Sequence, residues 1–306
     1  MEQDLIIIGA GPAALSAAIY TTREDISTLI LEKGVIGGMA AVTDKIDNYP
    51  GFSNGISGLE LSDQLSQQAE RFGAKIEYDS VKSISRLGDK LQVETELTKY
   101  NCKAVLIATG TDYKKIDVPG EAEYLSRGVH YCATCDGAFY RDKKIAVVGG
   151  GNSAIQETLF LTRYASHIDL LVRSKLRASD VLQKELQSYV DSGKVSIRLG
   201  TSIKSINGTN NLVNSVTIIS GKDESKLAVD GVFIFVGLLP NTTFIKDFIA
   251  LDERGFIKTD ENLHTNQKGI FAAGDVRSGA TMQIATAAGE GATAALKIRE
   301  FLEGHL

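Results

Sequence analysis

Two cysteines separated by two residues, Cys132 and Cys135, stand in the run HYCATCDGAFY at 130–140, and an acid, Asp136, follows the second directly. Such a pair can hold a metal, lie inert, or make and break a disulfide. Structural zinc asks for four ligands, typically from two such pairs. The only other thiol is Cys102, and His130 would be no more than a third ligand, so a metal is a poor reading. An inert buried thiol is the ordinary fate of a lone cysteine, and that is the expectation for Cys102. A C-x-x-C beside a βαβ pattern reads instead as redox-active. A disulfide between Cys132 and Cys135 closes a small ring against little chain entropy. Asp136 is placed to protonate a leaving thiolate or relay its proton.

The βαβ pattern is present twice. In DLIIIGAGPAALSAAIYTTREDISTLILEK a β-branched run, Leu5 to Ile8, meets Gly9, Gly11 and Ala14 in G-x-G-x-x-A spacing. An alanine-rich helical stretch follows, then a second apolar run, Thr28 to Leu31, ending at Glu32. Strand, glycine turn, helix, strand and a terminal acid form the dinucleotide-binding pattern. The glycines let backbone N–H groups approach a pyrophosphate at a helix N-terminus, and Glu32 is placed to accept hydrogen bonds from an adenosine ribose. At 143–177 the unit recurs in KKIAVVGGGNSAIQETLFLTRYASHIDLLVRSKLR, with Gly149, Gly151 and Ala154 in register with the first set. Two dinucleotides are therefore expected. The position of Glu32 is taken by Val172, with Arg173, Lys175 and Arg177 after it. An acid there would repel a 2′-phosphate and arginines would clasp one, so the second site is expected to take NADPH. Nicotinamide delivers hydride, which a disulfide does not readily accept. A flavin bridges the two chemistries, and the first site fits FAD.

The remaining elements are coarse. Residues 56–73 have helical apolar spacing closed by a glycine, 75–110 alternate as several strands with a Gly-Asp turn, and 231–241 are a buried strand running into a Leu-Pro-Asn turn. Residues 268–275 form another buried strand ending in an acid, and 282–304 a final amphipathic helix. A chain of 306 residues makes two domains the natural expectation. Hydrophobic residues at 43% and charged residues at 23% are an ordinary globular balance. A net charge of −5 gives no electrostatic reason for nucleic acid or an anionic membrane as partner. Three cysteines argue against a secreted disulfide framework. The start MEQDLIIIGAG does not read as a signal peptide, and no run is long enough to span a bilayer. A cytoplasmic protein is expected.

GAGPAA at the start, ATG at Ala108–Gly110, CATCD, GGGNSA and GIFAAGD occur in the order found in low-molecular-weight thioredoxin reductases, and the whole chain resembles that family. The resemblance implies an α/β fold of two Rossmann-like dinucleotide-binding domains, the second inserted in the first. These are 1–114 with 241–306 for FAD, and 115–240 for NAD(P)H and the redox pair. It implies a homodimer, tightly bound FAD, NADPH as donor and a thioredoxin-like protein as substrate. Cys132 would attack the substrate disulfide, Cys135 would lie against the flavin and Asp136 would be the acid. FAD would contact Gly9, Gly11, Pro12, Ala13, Glu32 and Lys33, then Gly38, Met39, Asn48 and Val81. Ala108 and Gly110 would complete one side of that site. Asp275 would hold the ribityl chain, with Met282, Gln283 and Ile284 opening a helix toward the flavin ring, its N-terminus stabilising negative charge. NADPH would meet Gly149, Gly151, Asn152, Ser153 and Ala154, with Arg173, Arg177 and Gly237.

The chain departs from the family pattern in three respects, one of them its lack of any tryptophan, to which no function attaches. The basic run after the second motif lacks the usual histidine and one arginine and is one residue shorter. Met39 stands where a glutamine is usual, which removes one flavin-side hydrogen bond. Since disulfide and nicotinamide must reach one flavin face from one domain, that domain is expected to rotate on connections near 111–117 and 237–244. Readings that keep fold and flavin are a reductase fed by NADH or ferredoxin, or a dithiol oxidase. A non-catalytic flavoprotein redox sensor is a different class.

Overall fold

The computed structural model describes residues 2–43 and 45–305. The chain divides into two compact units, residues 1–112 with 239–306, and residues 113–238. The first begins with β1 (Glu2–Ile8), α1 (Pro12–Thr22), β2 (Thr28–Glu32), α2 (Gly58–Arg71) and β3 (Lys75–Tyr78). The hairpin β4 (Val81–Leu87) and β5 (Lys90–Thr95) follows, turned by Gly88-Asp89 as the sequence suggests, then β6 (Lys99–Ile107) and β7 (Thr111–Tyr113). The second unit holds β8 (Val129–His130), α3 (Ala133–Asp136), β9 (Lys144–Val148), α4 (Asn152–Leu161), β10 (His167–Val172) and α5 (Asp180–Asp191). It continues with β11 (Val195–Leu199), β12 (Thr201–Thr209), β13 (Leu212–Ser220), β14 (Asp223–Ala228) and β15 (Gly231–Ile234). After β16 (Leu238–Pro240) the chain is back in the first unit, which closes with β17 (Ile270–Ala272) and α6 (Ile284–Leu302).

The first sheet runs β3-β2-β1-β6-β5-β4, with β17 also on β6. Strands β1, β2, β3, β6 and β17 are mutually parallel, and β4 and β5 are antiparallel. Side chains alternate across a strand, so the unbroken run Leu5–Ile8 feeds two cores. Leu5 and Ile7 join Ile30, Leu106 and the inner faces of α1 and α6, while Ile6 and Ile8 join Leu29, Leu31, Val105 and Ile107 on the other face. Burial on both faces is why these strands read as continuous apolar runs. The second sheet runs β11-β10-β9-β15-β8, also parallel.

Two segments differ from the sequence expectation. Over 231–241 the expected buried strand is present as β15, which ends at Ile234, but in place of the expected Leu-Pro-Asn turn Leu238–Pro240 is a second strand that pairs with β7 in a two-stranded sheet. Pro240 lacks an N–H, which confines it to such an edge. Residues 201–228 form a three-stranded antiparallel meander, β12-β13-β14, for which the sequence reading has no element. Its first turn is Asn210-Asn211, at φ 53° and 63°, the geometry of a two-residue hairpin loop.

Helices α1 and α6 pack so closely that a Cβ at Gly291 would stand 2.1 Å from the Ala13 carbonyl oxygen. Backbone cannot yield as a flexible side chain can. Gly289, two residues earlier on α6, has nothing within 4 Å of its Cβ position. Alanine is better than glycine inside a helix by about 1 kcal/mol, so the two positions should respond with opposite signs. Gly291→Ala is expected to lose about 1–3 kcal/mol through overpacking, lowering the melting temperature, whereas Gly289→Ala leaves it unchanged or raises it.

Candidate functional site

At the end of β1, Gly9 turns the chain at φ 98°, and a Cβ there would sit 2.5 Å from the Ala108 carbonyl oxygen at the end of β6. Only glycine fits both demands. Gly11 begins α1 with Pro12 at the first helical position and no side-chain cap, and a Cβ at Gly11 would meet nothing within 4 Å. The first-turn N–H groups thus border an open cradle. Glu32 ends β2, buried; its Oε2 accepts from the Ala10 N–H at 2.7 Å and its Oε1 from the Gly34 N–H at 2.7 Å. The carboxylate therefore fastens the glycine turn from beneath. Gly37 N–H donates to the Ala10 carbonyl at 2.7 Å, which lays Gly38 beside Gly11, with Met39 exposed next to it.

Gly9, Glu32, Lys33 and Val81 line one cavity, together with Asp79 and Asn241, which belong to no sequence motif. Asp79 follows β3, whose Tyr78 is in register with Glu32, so both acids occupy one sheet edge. Its Oδ1 accepts from the Ser80 N–H at 2.8 Å, while Oδ2 is buried with no hydrogen-bond partner. A buried carboxylate oxygen left so is costly, and a ligand carrying hydroxyl or amino donors would satisfy it. Asn241 donates from Nδ2 to the Thr109 carbonyl at 3.0 Å and so ties down the Ala108–Gly110 turn.

Across 235 residues of sequence, Asn48 Nδ2 donates to Gln283 Oε1 at 3.1 Å. Met282 before it holds a left-handed backbone at φ 59°, uncommon for a side chain of that kind, and Ile284 packs on Ile46, Ile56 and Leu61. Asp275 follows Gly274, whose Cβ position lies 3.0 Å from the Ala13 Cβ. Burial, and then the neighbouring Glu290 charge, push the Asp275 carboxyl up to about 6. Glu290 is itself held by Gly274 N–H at 2.7 Å and by the Arg277 guanidinium.

In the second unit Gly149 turns the chain from β9, and Gly151 begins α4, again with no side-chain cap and with open space where a Cβ would be. Ala154 is fully buried under the turn and Ser153 is exposed. Asn152 Oδ1 accepts from the Ser179 N–H at 2.8 Å, and the Arg177 N–H donates to the Gly150 carbonyl at 2.6 Å. These two bonds hold the loop after β10 against the glycine turn. Val172 is buried, while Arg173, Lys175 and Arg177 are exposed, and among the described residues none forms an ion pair. Gly237 accepts from the Lys114 N–H at 3.0 Å.

Cys132 and Cys135 are joined as a disulfide, their Cα atoms 5.4 Å apart. Cys132 caps the one-turn helix α3, its Sγ accepting from the Cys135 N–H at 3.2 Å. Asp136 ends that turn, its N–H on the Cys132 carbonyl at 3.2 Å. Its Oδ2 lies 3.1 Å from His130 Nδ1, and His130 Nε2 lies 2.7 Å from the Tyr140 hydroxyl. His130 and Tyr140 are buried against Phe233. The sequence offered His130 only as a possible metal ligand. Cys102, on β6, is fully buried, and burial pushes its thiol up to about 12.

A family model described as pyridine nucleotide-disulphide oxidoreductase matches residues 3–291. A thioredoxin reductase of Bacillus subtilis is 42% identical over 303 residues, covering 98% of this chain and 95% of the relative. The crystal structure of thioredoxin reductase from Streptococcus pyogenes superposes with a TM-score of 0.94 at 41% identity, covering 99% of each chain. That of Lactococcus lactis thioredoxin reductase, described as in the FR conformation, gives a TM-score of 0.68 at 40% identity, covering 99% of each chain.

Asp275 makes a prediction possible without any ligand. Its folded pKa of about 6 exceeds its ordinary 3.8, so the folded state holds the proton more tightly than the unfolded chain. Stability therefore falls as pH rises from about 4 to about 6, and the penalty is complete above that window. In ligand-free protein, Asp275→Asn should gain about 3 kcal/mol at pH 7 and nothing near pH 4, read by thermal unfolding at the two pH values.

Proposed function

The chain belongs to the pyridine nucleotide-disulphide oxidoreductase family, and from that premise we propose that it is a thioredoxin-disulfide reductase, passing electrons from NADPH through FAD and the Cys132–Cys135 disulfide to a thioredoxin-like protein. The observation that carries the reading is the disulfide itself, half-exposed on a one-turn helix beside Asp136, in the same unit as the second glycine turn.

The first unit fits FAD. The open cradle at Gly11, the orphaned Asp79 Oδ2 and the Glu32 carboxylate suit a pyrophosphate and hydroxyl-bearing sugar. Pro12, Ala13, Lys33, Gly38, Val81, Ala108 and Gly110 would border its nucleotide, and Asn48, Asp275 and the start of α6 its flavin end. When bound, the flavin supplies two-electron exchange between a pyridine nucleotide and a disulfide. The second glycine turn, with Gly149 to Ala154, would hold the pyridine nucleotide. Arg173 and Arg177 are the groups for a 2′-phosphate, being exposed and lacking ion pairs among the described residues.

Once reduced, Cys132 attacks a disulfide sulfur of the substrate, and the displaced thiolate takes a proton for which Asp136 is the donor. Cys135 then attacks Cys132 in the mixed disulfide, restoring the Cys132–Cys135 bond and releasing the second substrate sulfur as a thiol. Rotation of the second unit on its two connections serves both half-reactions. The spread of TM-scores between two relatives of nearly equal identity supports such motion in the family. A homodimer and a cytoplasmic location complete the proposal. Among the described residues no helix is long and apolar enough to cross a membrane.

Mixing pre-reduced protein with a thioredoxin disulfide should trap a mixed disulfide in Cys135→Ser, because the resolving thiol is gone, and none in Cys132→Ser. A non-reducing gel reads this, and the reverse pattern would reassign the two thiols. Replacing Arg173 and Arg177 together with alanine should raise KM for NADPH far more than for NADH. Losing two charge-assisted contacts corresponds to about 2–5 kcal/mol. Equal kinetics with both coenzymes in the unmutated protein would overturn the NADPH assignment.

A further inference from the structure

The second unit contains a buried polar chain whose purpose packing does not explain. Asp136, His130 and Tyr140 form a continuous line of hydrogen bonds, 3.1 Å from carboxylate to Nδ1 and 2.7 Å from Nε2 to hydroxyl. The three come from different elements: the end of α3, strand β8 and the turn at 137–140. His130 is only 7% exposed and Tyr140 only 6%. Strand β8 pairs with β15, bringing the imidazole onto the ring of Phe233 at 5.1 Å between centroids. An apolar side chain would fill this place with no desolvation cost, so a doubly bonded imidazole calls for another account.

We propose that His130 is a positioning residue for the thiol chemistry, with Asp136 as the outer end and Tyr140 as the inner end of a relay that stores one proton. The inference rests on the reading of Asp136 as the acid. Its strength lies in the partner at Nε2. A neutral imidazole that donates Nδ1–H to Asp136 must accept at Nε2, and the Tyr140 hydroxyl donates there. A protonated imidazole donates from both nitrogens, and the same hydroxyl turns to accept. Carboxamides and carboxylates lack that symmetry. Both ring nitrogens therefore keep a hydrogen-bond partner whether or not the ring carries the extra proton.

The proton balance of exchange then closes inside the protein. As Cys132 becomes a thiolate, its proton passes to the Asp136–His130 pair. The thiolate forms a bond to one substrate sulfur, the substrate S–S bond breaks, and the leaving sulfur takes that proton back through Asp136. The disulfide has moved into the Cys132–substrate bond with no proton drawn from solvent, and the two-electron reduction of the substrate is complete when Cys135 displaces its second sulfur and both protein thiols are oxidised. Among the described residues, the charged groups that act on the Tyr140 end of the relay besides Asp136 include Asp230, which accepts from the Lys144 N–H at 2.9 Å, and Lys143, whose Nζ lies 5.4 Å from the Tyr140 ring centroid. Burial raises the Tyr140 phenol well above its usual range, so it stays neutral throughout.

The test reads the Cys132 thiol directly and needs neither thioredoxin nor pyridine nucleotide. In a Cys135→Ser background, with Cys102 buried, the full-length flavin-loaded protein is alkylated with iodoacetamide across pH 5–10. Adding His130→Asn should raise the apparent thiol pKa by at least one unit, slowing alkylation about tenfold at pH 7. Tyr140→Phe, which keeps the ring in place, should shift the midpoint in the same direction by less. His130→Gln, which can satisfy Asp136 but carry no proton, should not restore it, whereas a purely structural role predicts that it does. An unmoved midpoint in His130→Asn and Tyr140→Phe variants that melt like the parent would overturn the relay. If the parent protein with both thiols showed no thioredoxin turnover while the midpoint moved in the alkylation series, the relay would stand and the substrate assignment would fall.

Discussion

A parallel sheet buried on both faces must be covered on both, here by helices on one face and on the other by the β12–β14 meander or by the chain around Ile245–Ile257, and a chain that winds first one way and then the other opens a gap where it reverses. That constraint organises both units. In the first, the reversal lies between β1 and β6, where Ile8 O accepts the Ala108 N–H at 2.9 Å and the strands then part. In the second it lies between β9 and β15, with the Phe235 N–H on Val148 O at 2.8 Å. Both glycine turns stand at these openings, at the carboxyl ends of the strands, where open α/β sheets receive their ligands. The helix termini are uncapped at Gly11 and Gly151 because a side chain there would occupy the opening.

The local part of this was legible in the sequence, and the non-local part was not. The run Leu5–Ile8, the spacing of Gly9 and Gly11, and Glu32 lie within one βαβ unit, so their pattern survives on the page as a short motif. The C-x-x-C is legible for the same reason. Asp79 carried no motif, because its meaning comes from sheet order: it shares an edge with Glu32 only once β3 pairs with β2. His130 and Tyr140 meet Asp136 through the pairing of β8 with β15, which no spacing encodes. The meander at 201–228 had a signal, the Asn210-Asn211 pair between alternating strands, which a search for chemistry had no reason to weigh.

Several groups at the candidate sites are held in states the fold alone would not choose. Asp79 leaves one oxygen unpartnered, Asp275 ionises against burial and Glu290, and Met282 keeps a left-handed backbone. Such costs gather where a ligand is to be met. They are offset by ordinary cohesion nearby. The small residues of α1 and α6 bring two helix backbones together, and Ser16 Oγ donates to the Ala288 carbonyl at 2.7 Å across that contact.

The insertion of one unit within the other also sets an order on the making of the protein. The chain leaves the first unit after Asp112 and re-enters it at Leu239, so the second unit is one unbroken stretch of chain and the first is two. Strand β6 finds its neighbour β17 only when Ile270–Ala272 exist, and α1 lacks its partner helix until Gly291 emerges. Domains usually complete themselves from the N-terminus as synthesis proceeds. Here the unit that begins first must finish last. Its half-built sheet waits on the ribosome with an open edge at β6, while the inserted unit has every strand it needs by Ile234.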